Sequence, residues 1–216
     1  MAYQQQPQQY GGQPPLQQAP HGQPPPYASH ATSAPAVAAP PPPQPPLEFH
    51  VFVDGTLRRK ALRILHADKI TPAYFVELSR KQLVVHRGNE SGPVIGRVGY
   101  HTFSPGKMDL VFGSQPEVEM KRVGLFSKNY SVALPAAGSP APFAWHVSLG
   151  GHISLMDGAG ATLADFSRSM KPSKDGVLTM GVFGVQQEFM DQIIISFVAV
   201  EEMVIRTAAA AGAAAA

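Results

Sequence analysis

The sequence predicts a mainly β domain, a barrel or sandwich of many short antiparallel strands, that ends in one very apolar helix. Three observations support this. All 17 basic and 15 acidic residues lie from Glu48 onward, so the charge-free residues 1–46 stand apart from a domain over 47–206. Within that domain, about a dozen short runs alternate between apolar and polar residues. A final segment, 186–206, contains neither Gly nor Pro and is apolar on most of its surface.

The first segment, 1–46, is predicted to be a disordered Pro/Gln-rich tail. Gln, Pro, Ala and Gly dominate it, and its few aliphatic side chains cannot offset the entropy of ordering the chain. Its proline run 40–46 favours an extended polyproline helix. One short motif is of the kind that WW domains bind, so the tail is either a ligand for an SH3 or WW groove or a spacer. The docking candidates are Pro24, Pro25, Pro26 and Tyr27.

The strands are predicted from period-two alternation, which is clear where apolar Leu47, Val51 and Val53 alternate with other residues. Turn dipeptides such as Asp54-Gly55 and Asp157-Gly158 separate the runs. A run every 11 to 12 residues, roughly, is typical of an all-β barrel or sandwich. The predicted strands are 47–53, 60–66, 73–78, 82–86, 94–103, 108–112, 117–123, 130–134, 143–149, 152–156, 162–167 and 177–183.

The segment 187–206 is predicted to be a helix of about 30 Å, given ~1.5 Å per residue. Its apolar residues occupy most of a helical wheel, so the helix must be buried on most sides. The many β-branched residues keep a strand as the alternative. A transmembrane span is not expected, because the apolar run Ile193–Val200 is far shorter than the ~20 residues that a span needs. Residues 207–216 form an Ala-rich tail, either a frayed continuation of the helix or disordered.

The sequence offers no catalytic or metal-binding motif, so we expect a non-enzymatic protein without metal or cofactor. The chain has no Cys, which excludes disulfides, thiolate ligands and cysteine nucleophiles. Its eight His are scattered without metal-ligand spacing. The run 52–56 resembles the haloacid-dehalogenase signature, but Phe52 stands where the nucleophilic Asp is needed, so it is interpreted as a hairpin turn. A Gly-x-Ser-x-Gly elbow is also absent.

The charged residues suggest a basic surface. Residues 47–128 contain 13 basic and 8 acidic residues, whereas residues 129–216 contain 4 and 7, so one side of the barrel is expected to be basic. Phosphate head groups would complement it, at ~1 kcal/mol per Lys or Arg near an anionic leaflet. The alternative is a solvated strand face and turn. Nucleic acid is not expected, because the domain's net charge is near +2. The lipid-phosphate candidates are Arg58, Arg59, Lys60, Arg63 and Lys69.

A set of segments in a fixed order gives the domain a resemblance to a known superfamily, although none is specific alone. They span essentially all of 47–206: 49–52 with 57–59, 67–74, 95–98, 153–164 and 190–194. In this order, and with the terminal helix, they are similar to the tubby C-terminal-like superfamily. That group includes tubby domains, plant LURP-one-related proteins and phospholipid scramblases, and the likeness is greatest to its fungal-type members.

The resemblance implies a closed barrel of about twelve antiparallel strands, threaded by a buried C-terminal central helix that fills it. It also makes phosphoinositide binding an expected function. The proline-rich tail looks like that of scramblases, but only an Ala-rich segment follows Arg206 where scramblases carry an acidic calcium-binding segment.

Three functions are therefore open: a non-enzymatic module that binds phospholipid head groups or a protein partner, a scramblase-like membrane protein, and a small-ligand barrel or enzyme. The first residues show no secretory signal, so we expect an intracellular, cytoplasmic protein that works at the periphery of a membrane.

Overall fold

The computed structural model describes residues 45–54, 61–101, 104, 106–124, 127–148, 150–169, 176–181 and 186–214. Twelve strands form one closed antiparallel barrel, in which each strand pairs with its neighbours in sequence and β1 pairs with β12. The fold class predicted above is thereby confirmed. The strands are β1 (Leu47–Asp54), β2 (Ala61–His66), β3 (Pro72–Leu78), β4 (Gln82–Arg87), β5 (Val94–Tyr100), β6 (Lys107–Phe112), β7 (Val118–Arg122), β8 (Tyr130–Val132), β9 (Phe143–Val147), β10 (Ile153–Met156), β11 (Thr162–Arg168) and β12 (Gly176–Met180).

Period-two alternation sets which side chains enter the barrel. In β6, Met108, Leu110 and Phe112 are buried, whereas the residues between them face outward. Several strands end earlier than predicted. The clearest case is β8, which ends at Val132 rather than at 134, because the chain turns there into a short 3-10 helix at Pro135–Ala137. Proline has no N–H to donate to a strand ladder, so it favours this turn.

The last element is a helix, α1 (Gln187–Ala214), so the strand alternative for this segment is wrong. The helix begins where it was predicted and continues past 206 through the Ala-rich residues, which agrees with the high helix propensity of alanine. Residues 207–213 are exposed. The described residues contain no helix that is long and apolar enough to cross a membrane.

The helix α1 lies inside the barrel. All eight residues of Ile193–Val200, including the polar Ser196, are 0 % exposed, and eight successive residues at 100° each cover every direction around a helix. Phe197 packs on Phe166 of β11, with ring centroids 4.8 Å apart. Ile195 packs against Gly96 of β5, which is six strands from β11 in the ring of twelve. The helix therefore contacts opposite walls of the barrel.

The two ends of the barrel are distinguished by the helix. At the exit end, where α1 leaves the barrel, the Arg206 guanidinium donates to the carbonyl oxygens of Ser79 (2.9 Å) and Arg80 (3.1 Å) in the β3–β4 turn. At the opposite end, where α1 begins, Gln192 Oε1 accepts a hydrogen bond from the backbone N–H of Ala136 at 2.9 Å. Because neighbouring strands are antiparallel, odd-numbered strands run toward the exit end and even-numbered strands begin there.

Candidate functional site

At the opposite end, a buried carboxylate fixes the start of α1 to the barrel wall. Asp191 is 6 % exposed and accepts hydrogen bonds from Tyr74 Oη at 3.0 Å and from Gln187 Nε2 at 2.8 Å. The Arg87 guanidinium forms an ion pair with the same carboxylate. Burial, together with the Asp191 charge, raises the pKa of Tyr74, so this phenol stays protonated and keeps donating. These partners fully occupy the carboxylate, which makes the cluster a structural anchor.

The charged residues separate by end of the barrel rather than by half of the sequence. At the opposite end, seven acidic side chains outnumber two basic ones, Lys69 and Arg87. Arg87 is already paired with Asp191. The exit end is mainly basic among the described residues. The basic residues of the exit end are Arg80, Lys81, Lys107, Lys121, Arg122, Lys128, Arg168 and Arg206; the opposite end has acidic Glu48, Asp68, Glu90, Glu117, Asp157, Glu188 and Asp191 with basic Lys69 and Arg87.

The exit end also carries acidic residues. Asp54 ends β1 there, Glu77 is the penultimate residue of β3, and Glu119 pairs with the exit-end Lys107 at 2.9 Å, whereas two further carboxylates are buried. Glu201 is 1 % exposed and Glu202 is 9 % exposed. They form ion pairs with Arg168 at 3.0 Å and with Arg206 at 2.9 Å, respectively. These two carboxylates lie beneath the surface, and the basic residues of the exit end outnumber its other acidic residues in the described part of the chain.

A cavity of about 540 Å³ opens at the exit end, between the strand ends and α1. Its charged lining consists of Arg122, Lys128 and Arg168, and no acidic side chain among the described residues lines it. Two of these cations come from inward-facing positions: Arg122 continues the row of buried Met120, and Arg168 continues the row of buried Phe166. The strands thus place two guanidinium groups where the interior opens to solvent.

Arg122 is held in place by its cross-strand neighbour. It pairs in register with Tyr130, and its guanidinium carbon lies 5.8 Å from the Tyr130 ring centroid. Its backbone N–H donates to the carbonyl oxygen of Gly106 at 2.8 Å. Its buried Nε–H has no hydrogen-bond acceptor among the described residues. Because this nitrogen is closed to solvent, a ligand would bind the terminal amino groups of Arg122, of which Nη2 lies 3.5 Å from Tyr130 Oη.

Arg168 is held by α1 below and by a tight turn beside it. Glu201 accepts from Nη2 at 3.0 Å, which uses one of the five N–H donors of the guanidinium. In the β9–β10 turn, Gly151 adopts a φ of 77°, and a Cβ there would lie 3.6 Å from Arg168 Nε. This is an ordinary contact distance, so the glycine is required by its positive φ and the turn lies directly against the arginine. Arg168 can bind an anion with its remaining donors while Glu201 keeps it oriented.

The helix α1 also lines the cavity and, apart from Thr207, contributes only apolar side chains. Val204, Ala208 and Ala211 share one face of the helix at spacings of four and three residues, and Val147 of β9 adds to this surface. A ligand in the cavity would therefore meet cations on the strand side and hydrocarbon on the helix side.

The structure describes two of the five lipid-phosphate candidates. Arg58, Arg59 and Lys60 lie outside the described residues, but the residues flanking their segment, Asp54 and Ala61, are cross-strand partners at the exit end. Arg63 lies within β2, opposite Phe52 and Phe75. Lys69 lies in the β2–β3 turn at the opposite end, with a φ of 60°. The structure does not bring Lys69 to the exit end. The docking candidates Pro24 to Tyr27 also lie outside the described residues.

The sequence interpretation missed Arg122, Lys128 and Arg168. A signal was present for two of them, because an arginine two residues after a core residue of a strand must point inward. Met120 precedes Arg122 in this way, and Phe166 precedes Arg168. Nothing in the sequence marks Lys128.

A Ser–His–Asp arrangement lies on the outer face of the barrel. His152 Nε2 is 2.7 Å from Asp165 Oδ1, and its Nδ1 is 3.5 Å from Ser167 Oγ. His152 and Ser167 are exposed, Asp165 is half-buried, and none of the three lines the cavity at the exit end. The backbone of β11 is paired with β10 and β12 on both sides, so its N–H groups are not free to stabilise an oxyanion. The described part of the chain holds no group of three or more residues fit to bind a metal ion.

No family model matches the chain, and no curated protein matches it. The X-ray structure of a protein from Arabidopsis thaliana is similar, with 14 % identity, coverage of 72 % of this chain and 91 % of that chain, and a TM-score of 0.47. The fold assignment therefore depends on the chain's own strand pairing. A closed twelve-stranded barrel with one C-terminal helix is the architecture that the tubby-like resemblance implies.

Proposed function

We propose that this protein is a non-enzymatic, tubby-like barrel module that binds anionic phospholipid head groups, phosphoinositides included, through the exit end. It acts inside the cell at the periphery of a membrane. The observation that carries the proposal is the separation of charge along the barrel axis, with an acid-free cationic cavity at the basic end.

The charge distribution favours one orientation on a membrane. Each Lys or Arg near an anionic leaflet contributes about 1 kcal/mol, and this attraction fades beyond a Debye length of roughly 10 Å at 0.1 M salt. Lys121 and Lys128 are exposed at the exit end and reach a surface placed there. Acidic residues such as Glu90 and Glu188 at the opposite end would be repelled. The barrel therefore docks with its exit end toward the lipid.

This mode of binding leaves the core helix where it is. The apolar stretch Ile193–Val200, which a scramblase-like mechanism would place among lipid chains, already fills the barrel interior. Moving it into a bilayer would empty the core. Docking through surface cations requires no such change.

Co-sedimentation with vesicles tests the proposal. The full chain is mixed at low salt with phosphatidylcholine vesicles that either contain or lack an anionic phospholipid. We expect retention only on the anionic vesicles, with loss at 0.5 M NaCl. The double variant Lys121→Gln/Lys128→Gln removes about 2 kcal/mol, so its affinity should fall roughly 20- to 30-fold. Arg58→Ala/Arg59→Ala/Lys60→Ala should also weaken retention.

Lys69→Gln is the matched control, since it removes one exposed cation from the opposite end. Its retention should match that of the unaltered chain. The proposal fails if anionic vesicles do not retain the protein at low salt. It also fails if Lys69→Gln weakens retention as much per charge as the exit-end variants do.

A further inference from the structure

We infer that the exit-end cavity binds a single phosphate together with the first part of one alkyl chain of a lipid. Arg122 and Arg168 take the phosphate, and the face of α1 at Val204, Ala208 and Ala211 takes the chain. This inference rests on the proposed function and makes it more specific. Surface cations alone would attract any anionic membrane, whereas the cavity selects an amphiphile.

The phosphate half of the site follows from the two inward-facing arginines. Both arginines line the cavity, and each guanidinium has five N–H donors, of which the described contacts use few: Arg122 Nη2 lies 3.5 Å from Tyr130 Oη, and Arg168 Nη2 lies 3.0 Å from Glu201 Oε1. Guanidinium groups match the spacing of phosphate oxygens and can bind them through two parallel hydrogen bonds. Because none of the described residues that line the cavity is acidic, a phosphate between the two arginines would find complementary charge on the strand side.

The chain half of the site follows from the continuation of α1 beyond the barrel. Residues 207–213 are uncharged and exposed, and Ala208 and Ala211 of this segment line the same cavity as the arginines. The volume of about 540 Å³ falls in the range of 300–1,000 Å³, roughly, that small-molecule sites occupy. It exceeds what one phosphate needs, and the remaining space is bounded by Val147 and Val204. Each methylene buried there should strengthen binding about fourfold.

A soluble amphiphile separates this inference from membrane attraction. Isothermal titration calorimetry of the full chain with octyl phosphate, inorganic phosphate and octanol, each below its aggregation concentration, measures the two halves independently. We expect octyl phosphate to bind at least tenfold more tightly than either of the other two. Affinity should rise about fourfold per added methylene from butyl to octyl phosphate.

Two matched variants of α1 test where the alkyl chain of the ligand lies. Ala208→Glu places a carboxylate on the cavity wall and should weaken octyl phosphate at least tenfold. Ala209→Glu, about 100° further round the same exposed helical segment, does not line the cavity and should change affinity less than twofold. Both positions are exposed, so both variants keep the fold. Lys128→Gln, also at an exposed site, should reduce the preference for octyl phosphate over octanol.

The inference is overturned if octyl phosphate binds no more tightly than inorganic phosphate or octanol. It is also overturned if Ala209→Glu weakens binding as much as Ala208→Glu. Retention on anionic vesicles without octyl phosphate binding would exclude the cavity as the lipid-binding site, whereas the proposed function would still hold. Octyl phosphate binding without vesicle retention would refute membrane binding as the function and would indicate that the cavity binds free amphiphiles.

Discussion

Replacing Phe197 tests the packing of α1 inside the barrel. Its side chain is 0 % exposed and contacts the rings of Phe166 and Trp145, with centroids 4.8 and 6.0 Å away. Phe197→Ala removes both aromatic contacts and leaves a cavity among rigid strands, so it should cost about 4–5 kcal/mol of unfolding free energy, the upper part of the usual range. For a domain of this size, that corresponds to roughly 10–20 °C in Tm.

The assay is urea unfolding followed by fluorescence of Trp145, the protein's single tryptophan. Phe197→Asp should prevent folding, because a buried carboxylate without a partner costs most of the 5–15 kcal/mol, roughly, that stabilises a domain. Ala209→Asp puts the same group on the exposed part of α1 and should cost less than about 1 kcal/mol, mainly through helix propensity. A loss of under about 1 kcal/mol for Phe197→Ala would show that the helix does not fill the barrel.

Three further predictions concern single contacts. Ser196→Ala removes the acceptor of the buried indole N–H (3.1 Å) and should cost about 1–3 kcal/mol in urea unfolding; an unchanged midpoint would show that the bond does not matter. Gly96→Ala would place a Cβ 2.7 Å from a carbonyl oxygen and closer still to Ile195, so we expect a loss of about 1–3 kcal/mol, and an unchanged Tm would contradict the close approach. The hydrogen bond from the Thr71 hydroxyl, with two from backbone N–H groups, lowers the pKa of Asp68 to about 2 from 3.8. Its stabilising effect is therefore complete above pH 3.8 and is lost as pH falls through about 2, and an NMR titration midpoint near 3.8 would refute the turn geometry.

The alternation of apolar and polar residues along the sequence predicted most of the strands. Because side chains alternate in a strand whatever it pairs with, runs such as Met108, Leu110 and Phe112 indicate a strand from a few residues alone. Alternation does not say whether the strands form a barrel or a sandwich. That choice depends on the pairing of β1 with β12, whose partners Leu47 and Met180 lie at opposite ends of the domain sequence. Only the superfamily resemblance pointed to closure.

The candidate site was harder to predict because it is assembled from distant residues. Arg122 and Arg168 end different strands and meet only because antiparallel strands place alternate turns at the same end. Conversely, Arg63 and Lys69 are close in sequence, but Arg63 lies within β2, whereas Lys69 lies in the turn that follows β2 at the opposite end. A charge tally over halves of the sequence mixes both ends and therefore hides the separation along the barrel axis.

In the proposed function, the exit end faces an anionic membrane. Two exposed apolar positions mark the two ends: Val123, 50 % exposed, follows β7 at the exit end, and Ile70, 81 % exposed, lies in the β2–β3 turn at the opposite end. The chain has no Cys, so Val123→Cys and Ile70→Cys can each carry one environment-sensitive fluorophore. On anionic vesicles, the emission of the Val123→Cys label should shift to the blue and that of the Ile70→Cys label should not. An equal shift at both positions, or a shift at Ile70→Cys alone, would contradict the account.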